Sequence, residues 1–198
     1  PPTETVSLGG SARRSKHSSV EATMSATQST PIAHKEAYEL WSRLEAEFER
    51  YHSAIGYIPI DQTRIQDDLR RYLCLRCAGF LERLVHECVL RYLEEKSSGP
   101  ALEFAKSFYR TTPNLNAESF AKLMARFGDD HAARFGVFLT VTLRDSLNDL
   151  SAIRNPIAHG DTAGGQKLDP ERYRRLCKAV YEWLVGDFLK PVGVSVVS

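Results

Sequence analysis

The sequence predicts an all-α, up-and-down helical bundle behind a disordered N-terminal tail, and three observations predict it. From Ile32 onward, apolar residues recur at three- and four-residue steps almost throughout, the period of helices that turn one face inward. The interruptions fall on clusters of Gly, Pro and Ser, which stop helices. The single strand-like run, Thr140, Val141 and Thr142, has no partner strand nearby. With 198 residues and 42% hydrophobic content the chain fills one core, and a second full domain would be cramped. The expected division is a tail over residues 1–31 and one helical domain over residues 32–192.

The tail is rich in Ser, Thr, Gly and Pro and carries a small basic cluster, Arg13, Arg14 and Lys16. Met24 opens MSATQSTP, so the residues before it read as an upstream extension, with a disordered RNA-touching arm as the alternative. Leu40, Trp41, Leu44 and Phe48 then mark a first helix over about residues 33–53, broken by Gly56 and Pro59. Asp61 is the expected N-cap of a long second helix reaching about Lys96, where Ser97, Ser98, Gly99 and Pro100 stop it. Shorter helices follow over about residues 100–109, 116–127 and 129–135. A fourth major helix starts near Val137 and carries Leu143, Leu147, Leu150 and Ile153 toward the stretch SAIRNPIAHG, residues 151–160. Asp169 and Pro170 form an N-cap and first-turn pair for a last helix through Phe188. No internal repeat is visible.

Composition narrows the function classes. Cationic and anionic side chains nearly cancel, 26 against 25, so any nucleic-acid contact comes from a local patch. No run of eighteen apolar residues exists and the first thirty residues lack a hydrophobic signal core, which points to a cytoplasmic protein without a membrane span. Cys74, Cys77, Cys88 and Cys177 sit in apolar helical stretches, as reduced core thiols do. Cys74 and Cys77 form a CxxC, but no second pair follows at ligand spacing, so no metal site and no cofactor are expected.

The second helix is apolar on two sides. Leu69, Leu73, Cys77, Phe80, Leu84 and Cys88 form one stripe; Leu75, Ala78, Val85, Val89 and Leu93 cover much of the other side, with Glu82 in their midst. A carboxylate there is costly to bury ionised without a cation. Either Glu82 reaches solvent or a neighbouring arginine, or it orients a functional arginine from another helix.

SAIRNPIAHG presents a similar choice. In an ideal helix Arg154 and His159 point about 140° apart with ~7.5 Å of rise between them, whereas Asn155 and His159 share a face. Pro156 should kink or end the helix at Asn155. His159 and Gly160 suit a simple helix terminus, with Arg154 on a solvated face. That reading leaves Arg154 and Asn155 unexplained among Leu150, Ile153 and Ile157.

The run LNDLSAIRNPIAHG, residues 147–160, resembles the signature of the HEPN superfamily, an arginine followed after four to six residues by a histidine, often as RNxxAHG. Arg154, four intervening residues and His159 fit it, and so does Asn155. The long second helix with FLERLV, residues 80–85, extends the resemblance to roughly residues 33–190. It is most similar to the small stand-alone HEPN proteins of the RiboL-PSP or MAE type. The resemblance implies a metal-independent endoribonuclease of a toxin–antitoxin or antiphage system, acting on RNA as a homodimer, and the divergence of Arg154 and His159 on one helix makes a composite active site at that dimer the economical expectation. The resemblance assigns catalysis to Arg154, Asn155 and His159 and leaves an antitoxin or defence-complex protein as a further partner, while Glu82, from its place on the apolar side of the second helix, is the candidate supporting residue. Asp161 stands where some such toxins carry a modifiable tyrosine, which argues against that mode of silencing. Arg76 and Arg83 are the candidate RNA-backbone contacts, drawn from a set of arginines with interspersed acids on the second and last helices. The alternative is a non-catalytic HEPN-like module that binds a partner protein, nucleotide or RNA.

Overall fold

A computed structural model describes residues 35–112, 115–158 and 168–190, the side chains of 155–158 excepted. The chain divides into a unit of Pro1–Thr30 and a unit of Pro31–Ser198. The predicted tail lies outside the described residues. The second unit is an all-α bundle: α1 (Lys35–Tyr57), α2 (Thr63–Lys96), α3 (Gly99–Ser107), α4 (Ala117–Ala125), α5 (Asp129–Phe138), α6 (Val141–Ala158) and α7 (Pro170–Trp183). A π-helical turn, Leu184–Phe188, extends α7. No strand occurs among the described residues, and none of their helices is long and apolar enough to cross a membrane.

The two-sided apolarity of α2 places it at the centre. Leu73, Cys77, Phe80, Leu84 and Cys88 are buried along one side and Ala78, Val85 and Val89 along the other. With both sides covered, α2 packs against α1, α6 and α7, and more lightly against α3. Leu44 and Phe48 of α1, Leu147, Leu150 and Ile153 of α6, and Leu176 and Val180 of α7 complete this core. All four cysteines are free and buried. Burial pushes the Cys74 and Cys88 thiols up to about 12, so they behave as small apolar side chains. The Cys177 thiol donates to the Cys77 carbonyl at 3.6 Å, which puts the CxxC against α7 as core packing.

Four boundaries differ from the sequence reading. Helix α1 runs on through Gly56 to Tyr57, and the chain turns only beyond it, where the Gln62 amide donates to the Pro59 carbonyl at 2.9 Å. Gln62, not Asp61, occupies the N-cap of α2, without a side-chain cap bond. The helix expected from about Val137 starts at Val141 instead, Val137 and Phe138 closing α5, because Thr140 acts as a cap: its Oγ1 accepts from the Leu143 amide at 3.4 Å and its carbonyl accepts from the Arg144 amide at 2.9 Å. A β-branched residue with a hydroxyl thus starts a helix where its neighbours suggested a strand. Helix α6 also continues past Asn155 to Ala158, so Pro156 does not end it there. Proline removes a single amide donor in this last turn. The N-cap of α7 is as expected, Asp169 accepting from the Arg172 amide at 3.0 Å with Pro170 in the first turn.

The end of the bundle beside the π turn is aromatic. The His131 ring lies 5.3 Å from Tyr92 and 5.4 Å from Phe188, centroid to centroid, both edge to face. His131 is 4% exposed and its Nε2 has no hydrogen-bond partner. Burial, then the nearby Arg134 guanidinium, lowers its pKa, against a smaller opposing pull from Asp130 and the Phe127 carbonyl.

The unfolded chain therefore takes up this proton at a higher pH than the folded one. The contribution of His131 to stability is complete above about 6.5, the unperturbed histidine value, and declines as pH falls through it toward the folded value. Thermal unfolding of wild type and His131→Leu between pH 7.5 and pH 5 checks this. The melting-temperature difference should move in favour of the variant as the solution becomes acidic, and a difference independent of pH would contradict the assignment.

Candidate functional site

Glu82 is placed by the same pattern that centres α2. It falls on the second apolar side, between Ala78 and Val85, which is buried against α6. On α6, Arg154 follows Ile153 and stands one turn beyond Leu150, two core residues that fix that face of the helix. The two side chains meet: Arg154 Nη2 donates to Glu82 Oε2 at 3.0 Å, across 72 residues of sequence. Glu82 is 8% exposed.

The surroundings of the pair are mostly apolar. Ala78, Leu81, Leu115 and Leu150, with Ser151, line a niche of about 10 Å³ beside it, room for one water molecule at most. Burial in this setting raises the Glu82 pKa, and the Arg154 guanidinium pulls it partly back. The arginine favours the ionised carboxylate against the larger opposing effect of burial, and the carboxylate holds the arginine in place. The Arg154 side chain stays 35% exposed, so the guanidinium is anchored at one nitrogen on a side chain that solvent still partly reaches. A half-exposed, always-charged fork on a buried anchor can receive an anion such as a phosphate.

The structure brings Glu82 together with an arginine of another helix, Arg154. The side chain of Asn155 and all of His159, Gly160 and Asp161 lie outside the described residues. Arg76 and Arg83 are elsewhere. Arg76 makes a two-pronged pair with Glu47 of α1, its Nη2 donating to Oε1 at 2.9 Å. Arg83 pairs with Glu87 one turn on, at 2.6 Å, and lines a groove with Glu36, Glu39, Leu40 and Arg43 of α1. Both guanidinium charges are thus met by acids on the chain itself. No group of three or more His, Cys, Asp or Glu among the described residues is arranged to hold a metal ion.

Two features of the site were missed in the sequence. Ser151, three residues before Arg154, shares its helix face and was findable by spacing. Leu115 arrives from the segment before α4, and nothing local in its sequence signals the contact. A neighbouring clasp fixes α6 against α7: Arg172 donates from Nε to Ser146 Oγ at 2.9 Å and pairs with Asp149 at 2.7 Å. Comparison of the chain with protein-family models, curated proteins and solved structures gives no match.

Removing Arg154 alone strands a buried carboxylate. Arg154→Ala should lower unfolding stability by about 1–3 kcal/mol at pH 7, the range for orphaning a buried polar partner. Since Glu82 becomes harmless once protonated, the loss should shrink as pH falls toward 5. The double variant Glu82→Leu/Arg154→Met should recover most of it, because both charges leave together. Denaturant unfolding of the two variants checks this, and equal midpoints for single and double would show that the pair is not a coupled unit.

Proposed function

We propose that the chain is an endoribonuclease that cleaves RNA by attack of a 2′-hydroxyl on the adjacent phosphorus. The observation that carries the reading is the Glu82–Arg154 pair: a buried carboxylate holds, at 3.0 Å, the arginine that opens RNPIAHG, while leaving it partly exposed. A structural arginine could be satisfied at the surface, whereas this one is anchored from below.

The chemistry sets three demands. A base removes the 2′-hydroxyl proton, an acid protonates the departing 5′-oxygen, and a cation faces the charge that builds on the phosphorane. The bond formed is P–O2′ and the bond broken is P–O5′, so the products are a 2′,3′-cyclic phosphate and a free 5′-hydroxyl. Histidine titrates near neutrality and suits the two proton transfers, the role given to His159. Arg154 suits the third demand, since its fork matches two phosphate oxygens and stays protonated. Asn155 holds the phosphate or the imidazole by hydrogen bonding. These groups need no metal ion to complete the step. Because Arg154 and His159 diverge on a regular helix, a homodimer that places both copies around one cleft is the economical arrangement. A toxin or antiphage effector, held in check by an antitoxin or defence-complex protein, is the setting in which such an activity makes sense.

A second reading draws on a different observation. Arg76 and Arg83 are already neutralised by Glu47 and Glu87, which suits a non-catalytic module whose Arg154 and His159 contact a partner protein, nucleotide or RNA.

Incubation of purified wild type, His159→Ala and Arg154→Ala with total RNA in EDTA separates the two. Wild type should yield 2′,3′-cyclic phosphate ends, and His159→Ala should lose roughly 10²-fold or more in rate, the usual share of acid–base catalysis. Equal cleavage by His159→Ala would end the nuclease proposal. RNA binding without cleavage by wild type would select the second reading.

A further inference from the structure

The outer face of α6 sorts its side chains by charge. At about 100° per residue, Arg144, Asn148 and Ser151 fall within an arc of about 60°, while Asp145 and Asp149 lie about 100° and 140° round the helix from Arg144. Asp149 is turned toward α7, where it meets Arg172 at 2.7 Å. The stripe without acids runs from the first turn of α6 toward the candidate site, since Ser151 lines the niche beside Glu82 and Arg154.

The three side chains of the stripe have donors to spare. Arg144 is exposed, and its guanidinium has no ion pair or hydrogen bond among the described residues. Asn148 is exposed yet fixed: its Oδ1 accepts from the amide of Ala117, the first residue of α4, at 3.0 Å. With that oxygen engaged, its Nδ2 is left as a donor only, and it has no acceptor among the described residues. The Ser151 hydroxyl is equally unengaged there. Glu118, which follows Ala117 on α4, is met by Lys122 on its own helix.

We propose that this stripe is a binding track for the sugar–phosphate backbone of single-stranded RNA. The Arg144 guanidinium grips one phosphate, and Asn148 Nδ2 and the Ser151 hydroxyl donate to the strand on its way to Arg154. Arg144 stands ~15 Å of helix rise before Arg154, so the two guanidinium groups hold different phosphates of one strand. Arginine, asparagine and serine fasten a backbone without reading its bases, so the track supplies affinity and register and leaves sequence unread. One line of donors on one helix engages one strand. The choice of RNA as ligand rests on the nuclease reading; the free donors and their alignment do not.

Fluorescence anisotropy with a labelled 2′-O-methyl oligoribonucleotide, which lacks the attacking hydroxyl, tests the track in EDTA over a range of salt concentrations. The proteins are wild type, Arg144→Ala, Arg144→Lys, Asn148→Asp and, as a control at the far end of α2, Arg64→Ala, with circular dichroism confirming that each is folded. Arg144→Ala should bind about tenfold more weakly, the loss of one charge-assisted contact. Its slope of log affinity against log salt should be shallower by about 0.7, one phosphate of a single strand. Arg144→Lys should keep the slope. Asn148→Asp should weaken binding, because it retains the acceptor for the Ala117 amide and turns the donor into a negative oxygen. Arg64→Ala should match wild type. A wild type that does not bind, an Arg144→Ala protein with wild-type affinity and slope, or an equal loss in Arg64→Ala would each overturn the track. Cleavage of unmodified RNA by wild type separates this proposal from the nuclease reading. Binding that depends on Arg144 without cleavage ends the nuclease reading and keeps the track, whereas cleavage by a wild type whose binding ignores Arg144 does the reverse.

Discussion

A helix that is apolar around most of its circumference must be surrounded, and the rest of this fold follows from surrounding α2. Its two buried sides each need a partner, which α1 and α7 on one hand and α6 on the other supply. Small side chains allow the close approach: Cys77 of α2 meets Cys177 of α7 through a thiol–carbonyl contact, with both residues fully buried. Once α2 is enclosed, a charge on one of its buried sides has to be answered from a neighbouring helix or carry the cost of its burial.

Glu82 is where that requirement is sharpest. Two carboxylates on α2 near its middle show the contrast. Glu87 is exposed enough to pair with Arg83 on its own helix, a local contact worth a few tenths of a kcal/mol. Glu82 is buried, so its only remedy is a cation delivered by another element, and α6 delivers Arg154. Apolar packing between α2 and α6 tolerates small shifts along the helix axis. An ion pair with one buried member does not, because a shift of one turn leaves the Glu82 carboxylate stranded. The pair therefore sets the register of α6 on α2 and at the same time fixes the guanidinium in space.

How much of this the sequence reveals depends on the range of the interaction responsible. Local chemistry reads well. The Asp169–Pro170 start of α7 and the stop of α2 at Ser97 follow from capping and backbone rules that involve adjacent residues only. Periodicity also reads well, and the two apolar sides of α2 and the odd position of Glu82 could be counted directly. Competition between local options reads poorly: Thr140 offered strand propensity, helix continuation and a capping hydroxyl, and the cap prevailed because α5 had already ended at Phe138. Long-range choices were not legible. Which arginine answers Glu82, that Glu47 claims Arg76 from 29 residues away, and that Leu115 closes the niche beside Arg154 are decided by how helices sit on one another. The side chains of Asn155 and His159 lie beyond the described residues, so half of the candidate site rests on the motif itself.

The distribution of paired arginines bears on what an anion would meet at this surface. Arg70, Arg71, Arg76, Arg83, Arg91, Arg172 and Arg174 all have acidic partners on the chain. A polyanion approaching these seven arginines thus encounters cations already met by acids, and long-range attraction is weak at a net charge of +1. Arg154 is paired as well, but its partner differs in kind. Glu82 is desolvated and its pKa is raised, so its hold on the guanidinium is opposed by the burial of the carboxylate itself. An exposed pair loses little on being parted, whereas Glu82 without Arg154 would keep a buried carboxylate with no cation beside it. Of the arginines with acidic partners named here, Arg154 is thus the one whose partner is buried.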